Sequence, residues 1–462
     1  MPLSNKRIKE TPSDRFSELP DSLIIHILSF LEVKQSVVTA VLSKRWINLW
    51  RESPRLVFKE KSKLPDKIRD FVGRVNRTLL AVSGDRNCLN TLEIRFSYKY
   101  IYRSDVDVWL EFAIRNNVKK LNVVLDSTPS SILDVYSLPQ MMFHNSNLEH
   151  LILFGCVVAP RRTIEWRSLI RLTIGWVELQ QHVIDKILSG CPVLYDLTLS
   201  RCWGFNHLEL ESKSLHKLSV HYRKRRVDQN KPLLRISAPY LHSLGVALNV
   251  KRRKLSLGNT SSLVKASIDF IGSDLDVDPE LDVDTEVMDN AKELLEKIRH
   301  VKYVEIRGCC SQVLSSLAMT GYQFPQSART SLLVKDWTEK LSIHGILGLL
   351  ESSPNLEALV IEGLIFVEEP IICQDPKGDL SCDLLHLKTI TLKDFVHPSL
   401  YGEPMLTLAR ILLNKTPALE KMNIIGIDDT SSPTPASGEP FKIAQTLLSY
   451  PRSSVKAVVV LN

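Results

Sequence analysis

Apolar residues along this chain follow two periods, and the change from one to the other divides it. Between positions 19 and 50 the spacing is helical. Leu23, Ile24, Ile27, Leu28 and Leu31 recur at i, i+3 and i+4, behind Pro20, which stands where the first helical turn tolerates a missing N–H. A second short helical stretch follows at residues 34–41. Ser43 is placed to cap a third, in which Trp46, Leu49 and Trp50 share one face. Helices this short cannot bury so many large apolar side chains among themselves. The surplus must cover the rest of the chain or a partner protein.

From residue 88 the pattern becomes Leu-x-x-Leu-x-aliphatic. It runs from Leu89/Leu92/Ile94 to Leu356/Leu359/Ile361, passing for example through Leu148/Leu151/Leu153 and Leu218/Val220. Most successive units begin 21 to 30 residues apart, and the last two steps are 38 and 55, as an insertion or a hidden unit would give. The fourth and sixth residues of the motif lie two apart, so they point to one side of a short strand. Helical stretches that end in Gly and Pro, such as the one before Gly190 and Pro192, precede several strands. A unit this small buries its apolar face only by stacking on its neighbours. Irregular period and short strands favour such a solenoid over a closed α/β barrel or a doubly wound sheet. Beyond Cys373 the spacing predicts a strand at 385–392, a helix at 406–414 and a strand at 417–424. A Ser/Pro-rich loop, a helix at 441–448 and a strand at 457–461 follow.

Composition narrows the class. The chain has 462 residues, 44% apolar and 24% charged, too apolar for wholesale disorder. Its apolar runs are far shorter than the ~20 residues a membrane span needs, and no apolar leader opens it, so a cytoplasmic or nuclear protein is expected. Eight cysteines show neither C-x-x-C pairs nor a His at zinc spacing, which reads as small buried hydrophobes in a reducing compartment. No metal or cofactor is expected. Hydrolase, zinc-protease, phosphate-loop and kinase signatures are missing, and no nucleophilic Cys stands out, so the expected role is non-catalytic.

The net charge of +7 is unevenly placed. Residues 213–265 carry 13 Lys and Arg against one acid, Asp228. Two clusters, Arg223-Lys224-Arg225-Arg226 and Lys251-Arg252-Arg253-Lys254, each follow the strand of consecutive repeats and are expected side by side. A ligand surface for an acidic segment, solvated loops and a nuclear targeting signal all remain open. Downstream, residues 272–290 hold eight acids and read as a mobile insertion between repeats. Pro279 stands where a calcium loop needs Gly.

Three blocks carry a resemblance. Leu19-Pro20-Asp21-x-x-Ile24, continuing to Leu28-Ser29-Phe30-Leu31, and Leu42-Ser43-Lys44-Arg45-Trp46-x-x-Leu49-Trp50 together resemble an F-box of the plant type over residues 14–54. That resemblance implies binding to the Skp-type adaptor of a cullin–RING ubiquitin ligase. It places the contacts on Leu19, Pro20, Leu23, Ile24, Ile27, Leu28, Leu42, Trp46 and Trp50. The motif array at 88–370 is similar to leucine-rich repeats. Leu387-Lys388-Thr389-Ile390, the run from Ile411 to Met422 and the run from Leu447 to Ser454 resemble the FBD domain of plant F-box/leucine-rich-repeat proteins, at 371–462. That family's usual Trp and Pro-Glu-Cys approach is reduced here to Ser381-Cys382.

The expected architecture is α/β. It comprises a disordered tail at 1–13, a three-helix F-box, a helical linker at 55–87, an irregular solenoid with a parallel curved sheet, and a C-terminal strand–helix–strand cap. The implied function is substrate recognition: the F-box holds the adaptor, and through it the ligase, while the solenoid holds an unknown target protein. The alternative is a non-degradative scaffold whose basic rim binds an acidic protein or nucleic acid. Only Tyr222 flanks the basic clusters, which argues against nucleic acid, and no membrane is implied.

Overall fold

The computed structural model describes residues 19–42, 44–82, 89–126, 135–222, 233–248, 254–270, 285–308, 310–336, 343–363, 380–395, 403–426 and 445–461. The chain divides into two compact units, residues 1–178 with 182–194, and residues 179–181 with 195–462.

The first unit opens on α1 (Asp21–Leu28), α2 (Val33–Val38) and α3 (Trp46–Leu49). It continues through β1 (Arg55–Lys59), α4 (Pro65–Val82), β2 (Thr91–Phe96), α5 (Arg103–Arg115) and β3 (Lys120–Leu125). Then come β4 (Tyr136–Ser137), β5 (His150–Phe154), β6 (Cys156–Val157), β7 (Arg171–Gly175) and most of α6 (Gln181–Gly190). Strands β1, β2, β3, β5 and β7 are parallel neighbours in that order, and β4 pairs with β6. On them lies an aromatic core in which Phe71 of α4 stacks on Phe96 and meets Trp109 of α5 edge-on. The Trp109 indole N–H donates to Asn76 Oδ1 at 2.7 Å.

The helical linker expected at 55–87 is corrected here, because it begins with a strand. Leu56, Val57 and Phe58 are buried in succession, so β1 is covered on both faces. A strand of that kind shows no alternation of apolar and polar residues to announce it.

The second unit holds β8 (Asp196–Ser200), β9 (His207–Glu209), β10 (Lys217–His221), β11 (Leu233–Ser237), β12 (Ser243–Leu248), β13 (Lys254–Leu257) and β14 (Lys265–Phe270). Then α7 (Thr285–Lys297), β15 (Tyr303–Gly308), α8 (Cys310–Met319), β16 (Ser331–Asp336), α9 (Ile343–Glu351) and β17 (Ala358–Gly363) alternate. The last elements are β18 (Thr389–Phe395), α10 (Glu403–Lys415), β19 (Lys421–Gly426) and β20 (Val458–Leu461).

A parallel sheet runs through β8, β10, β12, β14 and then β15 to β20. Between β8 and β14 the return element of each repeat is a strand rather than a helix. Leu208/Leu210, Leu234/Ile236 and Leu255/Leu257 lie two apart, and β9, β11 and β13 form their own parallel sheet. The C-terminal elements continue the main sheet, since β18, β19 and β20 are its further parallel members. Of the acidic stretch, residues 271–284 lie outside the described residues. Thr285 to Asn290 is not insertion but the start of α7, with Val287 and Asn290 buried.

Register follows the motif. Its fourth residue meets its counterpart in each neighbouring strand: Leu92, Leu121, Leu151 and Leu172 in the first unit. In the second the row begins Leu197, Leu218, Leu244, Ala266 and Val304. It continues through Leu332, Leu359, Ile390 and Met422. Each such buried Leu, Ile, Val or Met contributes about 1.5–3 kcal/mol.

The row explains the 55-residue gap. Leu332 and Val334 occupy the fourth and sixth places of a unit whose first place is Arg329, so a leucine search passes over it. Arg329 is 0% exposed in a column where its neighbours are Val301 and Leu356. Among the described residues only Nη1 finds a partner, Ser353 Oγ at 3.3 Å, and Nε and Nη2 find none. Burial alone pulls its pKa down to about 10, with no carboxylate to offset it. The native state therefore holds this proton less tightly than the unfolded chain does, and the buried charge opposes folding at every pH below that value. Arg329→Met is expected to stabilise the chain by about 1–4 kcal/mol in urea unfolding. An unchanged or lower midpoint would show that the guanidinium is already compensated.

Candidate docking site

The three N-terminal helices are tied together by local chemistry before they pack. Pro20 lends its carbonyl to the N–H groups of Leu23 and Ile24 at 3.0 and 3.2 Å, starting α1. Gln35 closes back on the backbone of Glu32 in a capping box that starts α2. Ser36 Oγ donates to the carbonyls of Leu28 and Glu32, fastening α2 to the end of α1. Arg45 reaches Asp21 and fastens the approach to α3.

This packing splits the nine residues singled out by the resemblance. Ile24, Leu28, Trp46 and Trp50 are buried inside the module. Pro20 is exposed and Leu19 half-buried, while Leu23, Ile27 and Leu42 are 48%, 40% and 61% exposed. The structure adds four exposed residues that sequence reasoning missed: Phe30, Val37, Val38 and Val41. The signal for them was present, because Val37-Val38 and Val41-Leu42 are adjacent apolar pairs that one helix face cannot bury together. Large apolar side chains left out of a core at this density mark a surface built for a partner.

The other sequence candidates fall as follows. Arg223, Lys224, Arg225, Arg226, Lys251, Arg252 and Arg253 lie outside the described residues. Lys254 opens β13 opposite Leu233. The strands that precede the two clusters, β10 and β12, are parallel neighbours. His216 stacks between Tyr195 and His242, at 5.0 and 4.7 Å between centroids, with its Nδ1 on the Ser214 carbonyl. Among the described residues no group of three or more metal-ligating side chains forms. Cys156, Cys191, Cys202 and Cys310 are buried, and burial pushes the Cys191 thiol up to about 12, away from any nucleophilic thiolate.

A second feature emerges only from register. On the face of the second unit's sheet opposite its apolar row, Asp269, Arg307, Lys335, Glu362 and Lys393 stand in adjacent strands. Glu362 accepts from Lys335 Nζ at 2.9 Å and Lys393 Nζ at 2.5 Å, which holds its carboxyl below the usual range. Arg307 pairs with Glu305. Burial lifts the Asp269 carboxyl above its ordinary range. This polar face is ordered largely by ion pairs among its own side chains.

The model of the F-box domain family matches residues 16–58, and that of the At1g61320/AtMIF1 LRR domain matches residues 84–424. The chain belongs to the plant F-box/leucine-rich-repeat family. It is 28% identical over 355 residues to F-box/LRR-repeat protein At3g03360 of Arabidopsis thaliana, covering 75% of this chain and 70% of that protein. F-box/LRR-repeat protein At5g02910 of the same plant is 30% identical over 75% of this chain and 72% of its own. The putative F-box/LRR-repeat protein At3g18150 is 26% identical over 91% of this chain and 88% of its own. The repeat match runs past β18 and ends at residue 424 within β19, so family and register agree that these two strands continue the array.

The division between core and surface in the F-box is directly testable. Trp46→Ala removes a buried aromatic and is expected to cost about 3–5 kcal/mol in chemical denaturation. Leu42→Ser, on the surface, is expected to stay within about 0.5 kcal/mol of the parent. Equal losses would mean that Leu42 belongs to the core.

Proposed function

We propose that this F-box/LRR chain is a substrate-recognition subunit of a Skp–cullin–F-box ubiquitin ligase. The observation that carries the reading is the band of exposed apolar side chains on helices whose own core is already complete. Leu23, Ile27, Val38, Val41 and Leu42 project from a module in which Ile24, Leu28, Trp46 and Trp50 fill the interior. A band of this kind fits the apolar helices of a Skp-type adaptor, with Leu19 and Pro20 at its edge. The buried four act on the adaptor indirectly, by holding the band in place.

The repeat array serves as the target-holding part. Its contribution to ubiquitin transfer is proximity, raising the local concentration of a bound target near the transfer machinery without bond chemistry on this chain. The polar row from Asp269 to Lys393 is the face proposed for target recognition.

Co-purification of the full chain with a recombinant plant Skp-type adaptor tests the reading. The native chain is expected to capture the adaptor. Leu23→Asp/Ile27→Asp, which alters only exposed positions, is expected to lose capture while keeping the native circular dichroism spectrum. Capture by that variant, or none by the folded native chain, would overturn the proposal.

A further inference from the structure

The charged side chains on and around the first unit's strands mostly satisfy one another. Glu93 takes Arg55 at 3.1 Å and Lys59 at 2.9 Å, Asp126 takes Arg95 at 3.3 Å, and Glu149 takes Lys119 at 2.8 Å. Lys120 and Arg171 depart from this rule. Each directly precedes a buried leucine of the motif, Leu121 or Leu172, so both stand on the sheet face opposite the apolar row. Both are exposed, and among the described residues neither has an ion-pair partner.

His150 stands between them. Register sets Lys120 of β3 beside His150 of β5, and His150 beside Arg171 of β7, so the three side chains lie abreast at strand steps of roughly 4.8 Å. Burial, followed by the charges of Lys120 and Arg171, holds the His150 pKa below its ordinary value, with Glu149 opposing. At neutral pH the ring is therefore an uncharged N–H donor between two fixed cations. The nearby carboxylates Glu93 and Glu149 are engaged elsewhere, so this trio lacks an anion. Charge selects its kind. A phosphomonoester carries about −1.5 to −2 near neutral pH and matches two cations, whereas a single carboxylate leaves one of them bare. The Arg171 fork suits two phosphate oxygens, and Lys120 supplies a point charge. A nucleic-acid strand would need a longer track, and the next cations on β1 and β2, Arg55, Lys59 and Arg95, are engaged by carboxylates.

Farther along β5 the same face turns apolar, because His150, Ile152 and Phe154 alternate with the buried Leu151 and Leu153. Phe154 lies against Gly175, where any Cβ would overlap the ring, and meets Trp176 edge to face at 4.9 Å between centroids. Trp176 holds left-handed backbone, φ +59°, which a bulky side chain rarely adopts. Four strand residues, about 13 Å, separate His150 from this aromatic ledge, and an extended peptide covers that span in four residues. We propose that Lys120, His150 and Arg171 form a clamp for the phosphate of a phosphorylated protein segment, which binds extended with an apolar side chain about four residues away on Phe154 and Trp176. The clamp stands without the ligase reading; only the statement that the phosphoprotein is a target for ubiquitin transfer rests on it.

The test immobilises the full chain, without adaptor, and offers a peptide library with one central phosphothreonine and randomised flanks, beside the same library with Thr or Glu at the centre. The native chain is expected to retain the phosphorylated library about tenfold or more over both others. The retained peptides are expected to be enriched in aromatic or aliphatic residues about four positions from the phosphate. Lys120→Glu/Arg171→Glu is expected to abolish retention. Both positions are exposed, and melting within a few degrees of the native chain verifies folding. Equal retention of the Glu library would assign the surface to acidic segments and overturn the phosphate clamp. Retention that survives Lys120→Glu/Arg171→Glu, or none by the folded native chain, overturns it too. A single-stranded oligonucleotide that binds through the same two residues more tightly than the phosphopeptides would make this a nucleic-acid surface and also overturn it. A flat profile around the phosphate overturns the role of Phe154 and Trp176. Failure of the adaptor reading leaves each of these outcomes unchanged, so the two proposals fall separately.

Discussion

Everything in this structure depends on one packing constraint: a short parallel strand with a single apolar row has no core of its own. The row becomes buried only when the next strand sets its counterpart beside it, as Leu218 does with Leu197 and Leu244. A one-residue slip would turn the row to the opposite face, so hydrophobic burial enforces register from repeat to repeat. The same constraint explains why repeat length is free to vary. What lies between strands need only supply a buried apolar face, Val313 and Leu317 in α8 or Leu234 and Ile236 in β11, so either a helix or a strand serves as the return path.

The constraint also shows where the array tolerates an exception. Arg329 occupies a leucine place and is carried by the burial of Leu332, Val334 and their neighbours. The Ser353 hydroxyl accepts from Arg329 Nη1 and is itself bonded to Ser327, but among the described residues the other guanidinium donors, Nε and Nη2, stay unsatisfied. A tighter demand falls on Gly308, where φ is +63° and a Cβ would lie 2.3 Å from the Phe270 carbonyl oxygen of the preceding strand. Side-chain identity is negotiable in a stacked array, whereas backbone clearance between adjacent strands is not.

The F-box solves the opposite problem. Three short helices give up part of their apolar surface to a common interior and leave the remainder uncovered, which opposes stability in isolation and supplies association energy when a partner arrives. Its last helix leads within a few residues into β1, and β1 joins the sheet through Leu56 and Leu92. The module is thus held by the first unit's own register.

The amino-acid pattern by itself determined the motif array, the strand positions from Thr91 to Gly426 that carry a leading leucine or valine, and the helical F-box. These are local periods, and a period of two or of 3.6 specifies a face without knowledge of what covers it. Tertiary structure alone decided what a local period cannot encode. Ile24 and Ile27 are indistinguishable on a helical pattern, yet the packing of α1 against the following helices makes one core and the other surface. Strand β1 is buried on both faces and shows no alternation, and the Arg329 unit is recognisable only through its neighbours' register. The polar row from Asp269 to Lys393 is assembled from residues distant in sequence, brought together by strand stacking.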